Sequence, residues 1–572
     1  MSVPSIRGQR WEISRRGPPD IFEEHSNMRP LAVQLLYNRG VVGAKQIDSF
    51  MQTQFESIDP FLMSGMEQAV KRLLAARLAG ESVCVYADYD ADGVTAAAVL
   101  VSALKSLGIN TTVYFPSRTR EGYGLNIEAL KHIAQTGTEL MVSVDCGANA
   151  TEQVEQAVQL GMDVILTDHH VVMRDVPSAI ASLNPADPMS QYPFRGLCGV
   201  GVAYKLIEAL SIETDGEIVP DHLLDLVALG TIADVSPLVN ENRHFVICGL
   251  ALMQRRHRIG LDALARVSGL DSEDIEVSDV GYRLAPRINA AGRMADAQVA
   301  FDLLMSESED IAEKLAEKLE VLNRQRQLAT LEIMKNVVDD YVSTTGLPIF
   351  AINDNWASGV VGLVAGRVVE EYGVPAFIGS YESGIVRGSV RAPQGFDVIA
   401  SLENCANYLN TFGGHRAAGG FSLDEANITS FKRKLFEYWE SIPSTEKGEL
   451  VLEVDCRLYP ASVNSDTLSV QTELAPYGMG FSQPVYVCEK MSLDRVTTIG
   501  KDGAHVKLRF AELSATVDCV WFRGGRYVNQ LRKGGRYDVA FTLRKNKFRG
   551  GDMLEMNVED VRVNAVESMD LG

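Results

Sequence analysis

The chain has 572 residues and a formal net charge of −21, with 46% hydrophobic and 23% charged residues. At roughly 100–200 residues per domain this length predicts three or four domains, and the composition is that of a globular chain rather than a disordered or collagen-like one. No apolar run approaches the ~20 residues that span a bilayer, and the polar stretch Met1–Arg16 lacks a secretory signal core, so no membrane association and a cytoplasmic location are expected.

Residues 1–50 are expected to form an N-terminal segment. From 51 to 305 short apolar runs alternate with helical patterns. Val83–Ala87, Thr112–Phe115, Leu140–Val144 and Val164–Thr167 predict buried strands, with helices such as Thr95–Leu107 and Glu152–Leu160 between them. That rhythm is the α/β signature of a parallel sheet covered on both faces. Ser306 to Tyr341 predicts one connecting helix, with Ile311, Leu315, Leu319 and Leu322 as its apolar stripe. A glycine-rich α/β lobe follows over 342–445, opening with a strand at Pro348–Ile352. Over 446–572 the pattern becomes alternation, as in Val506, Leu508 and Phe510 or Val539, Phe541 and Leu543, which predicts a small antiparallel barrel. The eight cysteines contain no C-x-x-C pair, which argues against a zinc knuckle and for free thiols in a reducing compartment. Net charge is uneven. Residues 501–550 hold twelve Lys and Arg against four Asp and Glu, a balance of +8, and the rest carries about −29.

The chemistry concentrates where the predicted strands end, which is where open α/β sheets hold ligands. Asp88-Tyr89-Asp90-Ala91-Asp92-Gly93 follows the first strand. Three carboxylates this close are costly unless a cation neutralises them. D-x-D-x-D-G also opens an EF-hand loop, but Val99 stands where that loop needs a bidentate glutamate. Asp145-Cys146-Gly147 ends another strand, Asp168-His169-His170 a third, and Asp234 follows an apolar helix. Carboxylates with imidazole suit manganese or magnesium better than a thiolate-seeking metal. No G-x-x-x-x-G-K-[ST] loop is present, and Gly199-Val200-Gly201 reads as a packing turn.

These four segments resemble the motifs of the DHH phosphoesterase superfamily. Glu121–Leu125, Arg287–Arg293, Gly388–Arg391 and Gly413–Gly419 narrow the resemblance to the bacterial RecJ exonucleases, over nearly the whole chain. The resemblance implies a parallel-sheet DHH catalytic domain, a DHH-associated α/β domain after the connecting helix, and a C-terminal OB-fold barrel. It implies two divalent cations, Mn2+ or Mg2+, held by Asp90, Asp92, Asp145, His169 and Asp234, with Asp145 bridging and Asp88 ligating or supporting. Two such cations clamp a phosphodiester and activate water for in-line attack. His170, Arg287 and Asn289 would then stabilise the scissile phosphate. Ser389, Arg391, Gly414 and His415 would hold the strand's 5′ end, with Arg118 and Arg120 reaching the same strand and Tyr123 stacking on a base. In the barrel, Arg544 and Lys547, among basic residues interleaved with Trp521, Phe522 and Phe548, would grip single-stranded DNA. The implied activity is 5′-to-3′ hydrolysis of single-stranded DNA to 5′-mononucleotides in recombination and repair. The implied partners are single-strand-binding protein and a helicase, and a monomer is expected.

Overall fold

Five strands build the first sheet. They are β1 (Ser82–Ala87), β2 (Asn110–Tyr114), β3 (Leu140–Val144), β4 (Asp163–Thr167) and β5 (Ala181–Leu183), all parallel, in the order β2-β1-β3-β4-β5. Both faces are covered, so consecutive residues of β1 and β3 are buried. The order reverses between β1 and β3, and such a switch point opens a crevice beyond the strands' carboxyl ends. The structure is a computed structural model that describes residues 5–51, 57–118, 120–172, 178–270, 274–341, 346–382, 384–443, 450–512, 515–545 and 554–564.

The helix α1 (Ala91–Ser106) is alanine- and valine-rich and buried along most of its length. It packs against α2 (Gly199–Glu213) and α3 (Leu224–Ala233). The helix α4 (Ala285–Met294) carries the Arg287–Arg293 segment. The connecting helix α5 (Glu309–Tyr341) is 33 residues long. Of its expected stripe, Leu315, Leu319 and Leu322 pack into the core, joined by the buried Ala312 and Ala316, while Ile311 is 55% exposed.

The second lobe carries β6 (Ile349–Asn353), β7 (Ala376–Glu382), β8 (Ile385–Arg391), β9 (Thr411–His415) and β10 (Ala418–Asp424), ordered β9-β10-β8-β7-β6. Only β6 and β7 run parallel. The helix α6 (Val361–Tyr372) lies on this sheet.

The barrel consists of β11 (Tyr486–Ile499), β12 (His505–Glu512), β13 (Ala515–Trp521), β14 (Arg536–Lys545) and β15 (Leu554–Val563). β11 pairs with β12, β12 with β13, β13 with β15 in parallel, β15 with β14, and β14 with β11, which closes the sheet. The alternating residues Val506, Leu508, Phe510, Val539, Phe541 and Leu543 all point inward. The N-terminal segment joins this domain. Arg10–Ile13 pairs in parallel with Val451–Val454, and Leu35, Leu36 and Ile47 share one core with Phe510, Trp521 and Phe541. All eight cysteines are free thiols. Among the described residues no helix is long and apolar enough to cross a membrane.

Candidate metal centre and strand-binding cleft

Asp88, Asp145 and Asp168 leave the carboxyl ends of three adjacent strands, β1, β3 and β4, so sheet geometry alone brings them together. The turn after β1 is tight: a Cβ on Gly93 would lie 2.3 Å from the Asp88 carbonyl oxygen. Asp90 then caps α1, its carboxylate accepting from the Asp92 and Gly93 N–H groups at 2.9 and 3.1 Å. Asp92 is 1% exposed and accepts from the Gly199 and Val200 N–H groups at the start of α2, at 2.7 and 2.8 Å. The partial positive charge of a helix N-terminus thus holds it. Gly199-Val200-Gly201, read from sequence as a packing turn, is therefore the anchor of a carboxylate. The glycine is required by approach, since a Cβ on Gly199 would lie 2.5 Å from that of Asp145.

Asp145 sits in the left-handed region at φ 60°, and its Oδ1 faces His169 Nε2 at 3.1 Å. Asp234 is the C-terminal cap of α3 and accepts from the Ser236 hydroxyl at 2.7 Å. Three overlapping groups result among the described residues. Ligand atoms of Asp92, His169 and Asp234 lie within 4.8 Å of one another, as do those of Asp88, Asp90 and Asp145 and those of Asp145, His169 and His170; the first two are the triads that carry the acids. Burial first, and then neighbouring carboxylates, push Asp88, Asp92 and Asp145 well above the ordinary aspartate range. Burial lowers His169, which favours the neutral imidazole that binds metal. The Oδ1 atoms of Asp88 and Asp145 are buried and accept no hydrogen bond. A buried anionic oxygen without a donor is costly, and a hard divalent cation suits an all-oxygen set with one imidazole. The donor set fits hard divalent cations, which the carboxylates and the imidazole would hold.

Asp168 has a different task. Its Oδ1 accepts from the His169 and His170 backbone N–H groups and pairs with His170 Nδ1 at 2.7 Å, while Oδ2 accepts from the Ala148 N–H. It fixes both histidines. Burial works against a charged His170, but the Asp168 hydrogen bond outweighs it and raises that imidazole to about 9. The Tyr123 hydroxyl lies 3.3 Å from the His170 ring nitrogens, so this 55% exposed ring borders the centre.

Asn289, on α4, accepts from the Ala91 N–H at 2.9 Å and steadies the carboxylate turn. Arg287 of the same helix turns towards α5, bonding Glu320 at 2.6 Å and the Arg283 carbonyl at 2.6 Å. Arg293, which sequence reasoning quoted without a role, instead reaches the second lobe and donates to the Gly359 carbonyl at 3.0 Å. Burial and then the nearby Arg118 pull Arg293 down to about 10, and the same two causes lower Arg391. Three arginines from two lobes thus converge with Arg118 in the middle, its guanidinium 5.1 Å from the Tyr89 ring centre. Ser389 and Arg391 share one face of β8, and a Cβ on Gly362 of α6 would lie 3.2 Å from Ser389 Oγ and 3.6 Å from Arg391 Nη2. Gly414 at φ 140° approaches Ala418 closely, and His415 and Arg120 are exposed.

On the barrel, Trp521 is fully buried, so it supports the core and offers no ring face to a base. Phe522 is 42% exposed with the Arg544 guanidinium 4.8 Å from its centre, and Arg544 also faces Glu555. Lys547, Phe548 and Arg549 lie outside the described residues.

Comparison with known proteins follows this division. The DHH family N-terminal domain matches residues 82–231, the DHHA1 domain 340–441 and the RecJ OB domain 454–560. The single-stranded-DNA-specific exonuclease RecJ of Bacillus subtilis (strain 168) is 35% identical, covering 98% of this chain and 72% of its own length. That of Escherichia coli (strain K12) is 30% identical over 97% of this chain and 99% of its own length. The crystal structure of RecJ in complex with Mn2+ from Thermus thermophilus superposes with a TM-score of 0.84 at 26% identity, covering 97% of this chain and 80% of that one. Domain matches and near-full-length similarity agree: the chain belongs to the family of RecJ single-stranded-DNA-specific exonucleases.

Proposed function

We propose that this protein is a 5′-to-3′ exonuclease specific for single-stranded DNA that hydrolyses phosphodiesters and releases 5′-mononucleotides. The observation that carries the reading is the pair of ligand triads whose buried Asp88 and Asp145 oxygens accept no hydrogen bond. Two divalent cations, when bound, supply Lewis acidity and an activated water. Asp90, Asp92, Asp145, His169 and Asp234 would hold them, with Asp88 completing one set. His170, charged through Asp168, donates to the scissile phosphate. The Asn289 amide aligns the turn bearing the ligands through Ala91. Arg287, which bonds Glu320, and Arg293, which bonds the Gly359 carbonyl, would donate to the phosphate from α4.

Polarity rests on the second lobe. Ser389 and Arg391 lie beside Gly362 in the first turn of α6, and helix N-termini with arginine suit a terminal phosphate. Gly414 and His415 border that pocket, Arg118 and Arg120 extend it towards the metals, and Tyr123 stacks on a base. Arg544, Phe522 and Lys547 serve the trailing strand. A nuclease assay decides the reading: 5′- and 3′-labelled single strands, duplex and dinucleotides, with Mn2+, Mg2+ or chelator. Mononucleotides should appear first from the 5′ label, only with metal and only from single strands. Release from 3′ ends would overturn the pocket assignment. On the same reading the protein works in recombination and repair as a cytoplasmic monomer, on strands opened by a helicase and coated by single-strand-binding protein. Sedimentation and pull-down with those two partners test that extension.

A further inference from the structure

The segment that follows the metal ligand Asp234 is unusual in two ways. It is strained, and it is gripped by the barrel domain. α3 ends in a turn where the Ser236 N–H donates to the Thr231 carbonyl and the Val235 N–H to the Ile232 carbonyl, both at 3.2 Å. This is the Schellman pattern, which places its C′ residue in the left-handed region and favours glycine there. Here that residue is Val235, at φ 62°. A β-branched residue at positive φ is an outlier that persists only when its surroundings over-determine it. The Val235 side chain is not what holds it, since it is 66% exposed.

The segment is held from two sides: within the catalytic domain Asn242 donates to the Pro237 carbonyl at 3.0 Å and Leu238 packs in the core, and the barrel domain grips it from the other side. The Leu238 N–H donates to the Met479 carbonyl at 2.7 Å. Gly478 and Phe481 exchange backbone hydrogen bonds and form a small closed turn. A Cβ on Gly478 would lie 2.6 Å from Leu238 Cδ1, and one on Gly480 3.2 Å from Pro237 Cβ. Five residues beyond Leu238, Arg243 reaches across to the same region. It is 5% exposed and donates to the Leu474, Ala475 and Pro476 carbonyls at 2.8–2.9 Å, with its guanidinium 3.8 Å from the Phe50 ring centre. Val239, between these anchors, packs against the cores of both the catalytic domain and the barrel.

We infer that the barrel domain positions a metal ligand: the Gly478–Phe481 turn, gripping Pro237 and Leu238, keeps the strained Val235 turn in register so that Ser236 presents the Asp234 carboxylate to the Asp92–His169 seat. Leu238 and Gly478 are positioning residues; neither touches a cation. Loosening the grip lets Val235 relax towards negative φ, which carries Asp234 away from its partners. The barrel thereby serves the catalytic centre as well as the strand. The triad of Asp88, Asp90 and Asp145 is fixed by the sheet and by α1, so it is independent of the grip.

This inference rests on the proposed reading of Asp234 as a cation ligand, and Asp234→Asn tests that premise alone. Mn2+ binding to the full-length protein, followed by electron paramagnetic resonance and calorimetry without substrate, should show two classes of site. Asp234→Asn should abolish one class. Gly478→Val, which pushes on Leu238 from the barrel side, should weaken the same class roughly tenfold, the scale of loss for residues that orient a metal ligand. It should leave the other class unchanged. Leu238→Ala removes the contact from the opposite side, should act alike, and decides the matter if Gly478→Val does not fold. Adding Val235→Gly, which removes the strain, should restore most of the lost affinity. If both positioning variants fold and bind Mn2+ as the parent does, or lose both classes equally, the inference is wrong. If Asp234→Asn binds normally, the ligand assignment itself fails and the inference with it.

Discussion

On the catalytic sheet, Asp88, Asp92 and Asp145 are almost sealed from solvent, and two of their oxygens accept no hydrogen bond. On the barrel, Arg509, Arg526 and Arg544 lie at the surface, each beside a carboxylate, namely Asp518, Glu371 and Glu555. The two regions carry charge under opposite conditions. Buried like charges need a counter-charge from outside the chain, and removing one member leaves the rest mismatched. Exposed ion pairs contribute about 0–1 kcal/mol each, so a strand can replace their partners at little cost. The catalytic centre is therefore sensitive to single changes, whereas the barrel responds to the sum of its charges.

The largest test of that contrast is Asp145→Asn. Loss of the carboxylate between the triads should lower kcat by about a thousandfold or more, on the order of 4 kcal/mol. Near-parental turnover of folded protein would mean that the buried charge serves the fold alone. His170→Gln should follow, with kcat falling about a hundredfold, as when one charged donor to the transition state is lost. Equal losses in Asp168→Asn would show that the pairing at 2.7 Å sets the charge of His170. Arg391→Ala should be milder and act on binding, with KM for 5′-phosphorylated strands rising about tenfold and kcat changing little. Strands ending in a 5′-hydroxyl should discriminate less between the two proteins. Smallest is the barrel pair Arg544→Ala with Lys545→Ala, which should weaken binding a few-fold and flatten the salt dependence of log affinity by about 1.4. An unchanged salt slope would show that these cations never meet phosphate.

The site was legible where chemistry follows chain order. Strands β1, β3 and β4 end in acids, and a parallel sheet places consecutive strand ends side by side, so Asp88, Asp145 and His169 could be grouped from sequence. The period-two run of β12 was equally direct, because its buried positions alternate with more exposed ones, whereas Tyr537–Leu543 of β14 is buried on both faces. What stayed hidden depends on long-range contact. Nothing local at Gly199 says that its N–H will hold Asp92, 107 residues away in sequence. Arg287 and Arg293 are separated by less than two helical turns, yet one faces α5 and the other the second lobe, a choice made by tertiary packing. Trp521 was expected to stack on bases, but its alternating position aims it inward. In the stripe of α5, Ile311 is exposed and its neighbour Ala312 is buried instead, and alanine carries little hydrophobic signal.

The N-terminal helices share a core with a barrel that begins some four hundred residues later. During synthesis, at about 5–20 residues per second, Leu35, Leu36 and Ile47 wait roughly 20–80 s before their partners emerge. The catalytic domain can collapse in that interval while the first segment stays unsatisfied. The barrel is thus completed by residues made long before it, and a barrel expressed without residues 5–51 would expose an apolar face that invites self-association.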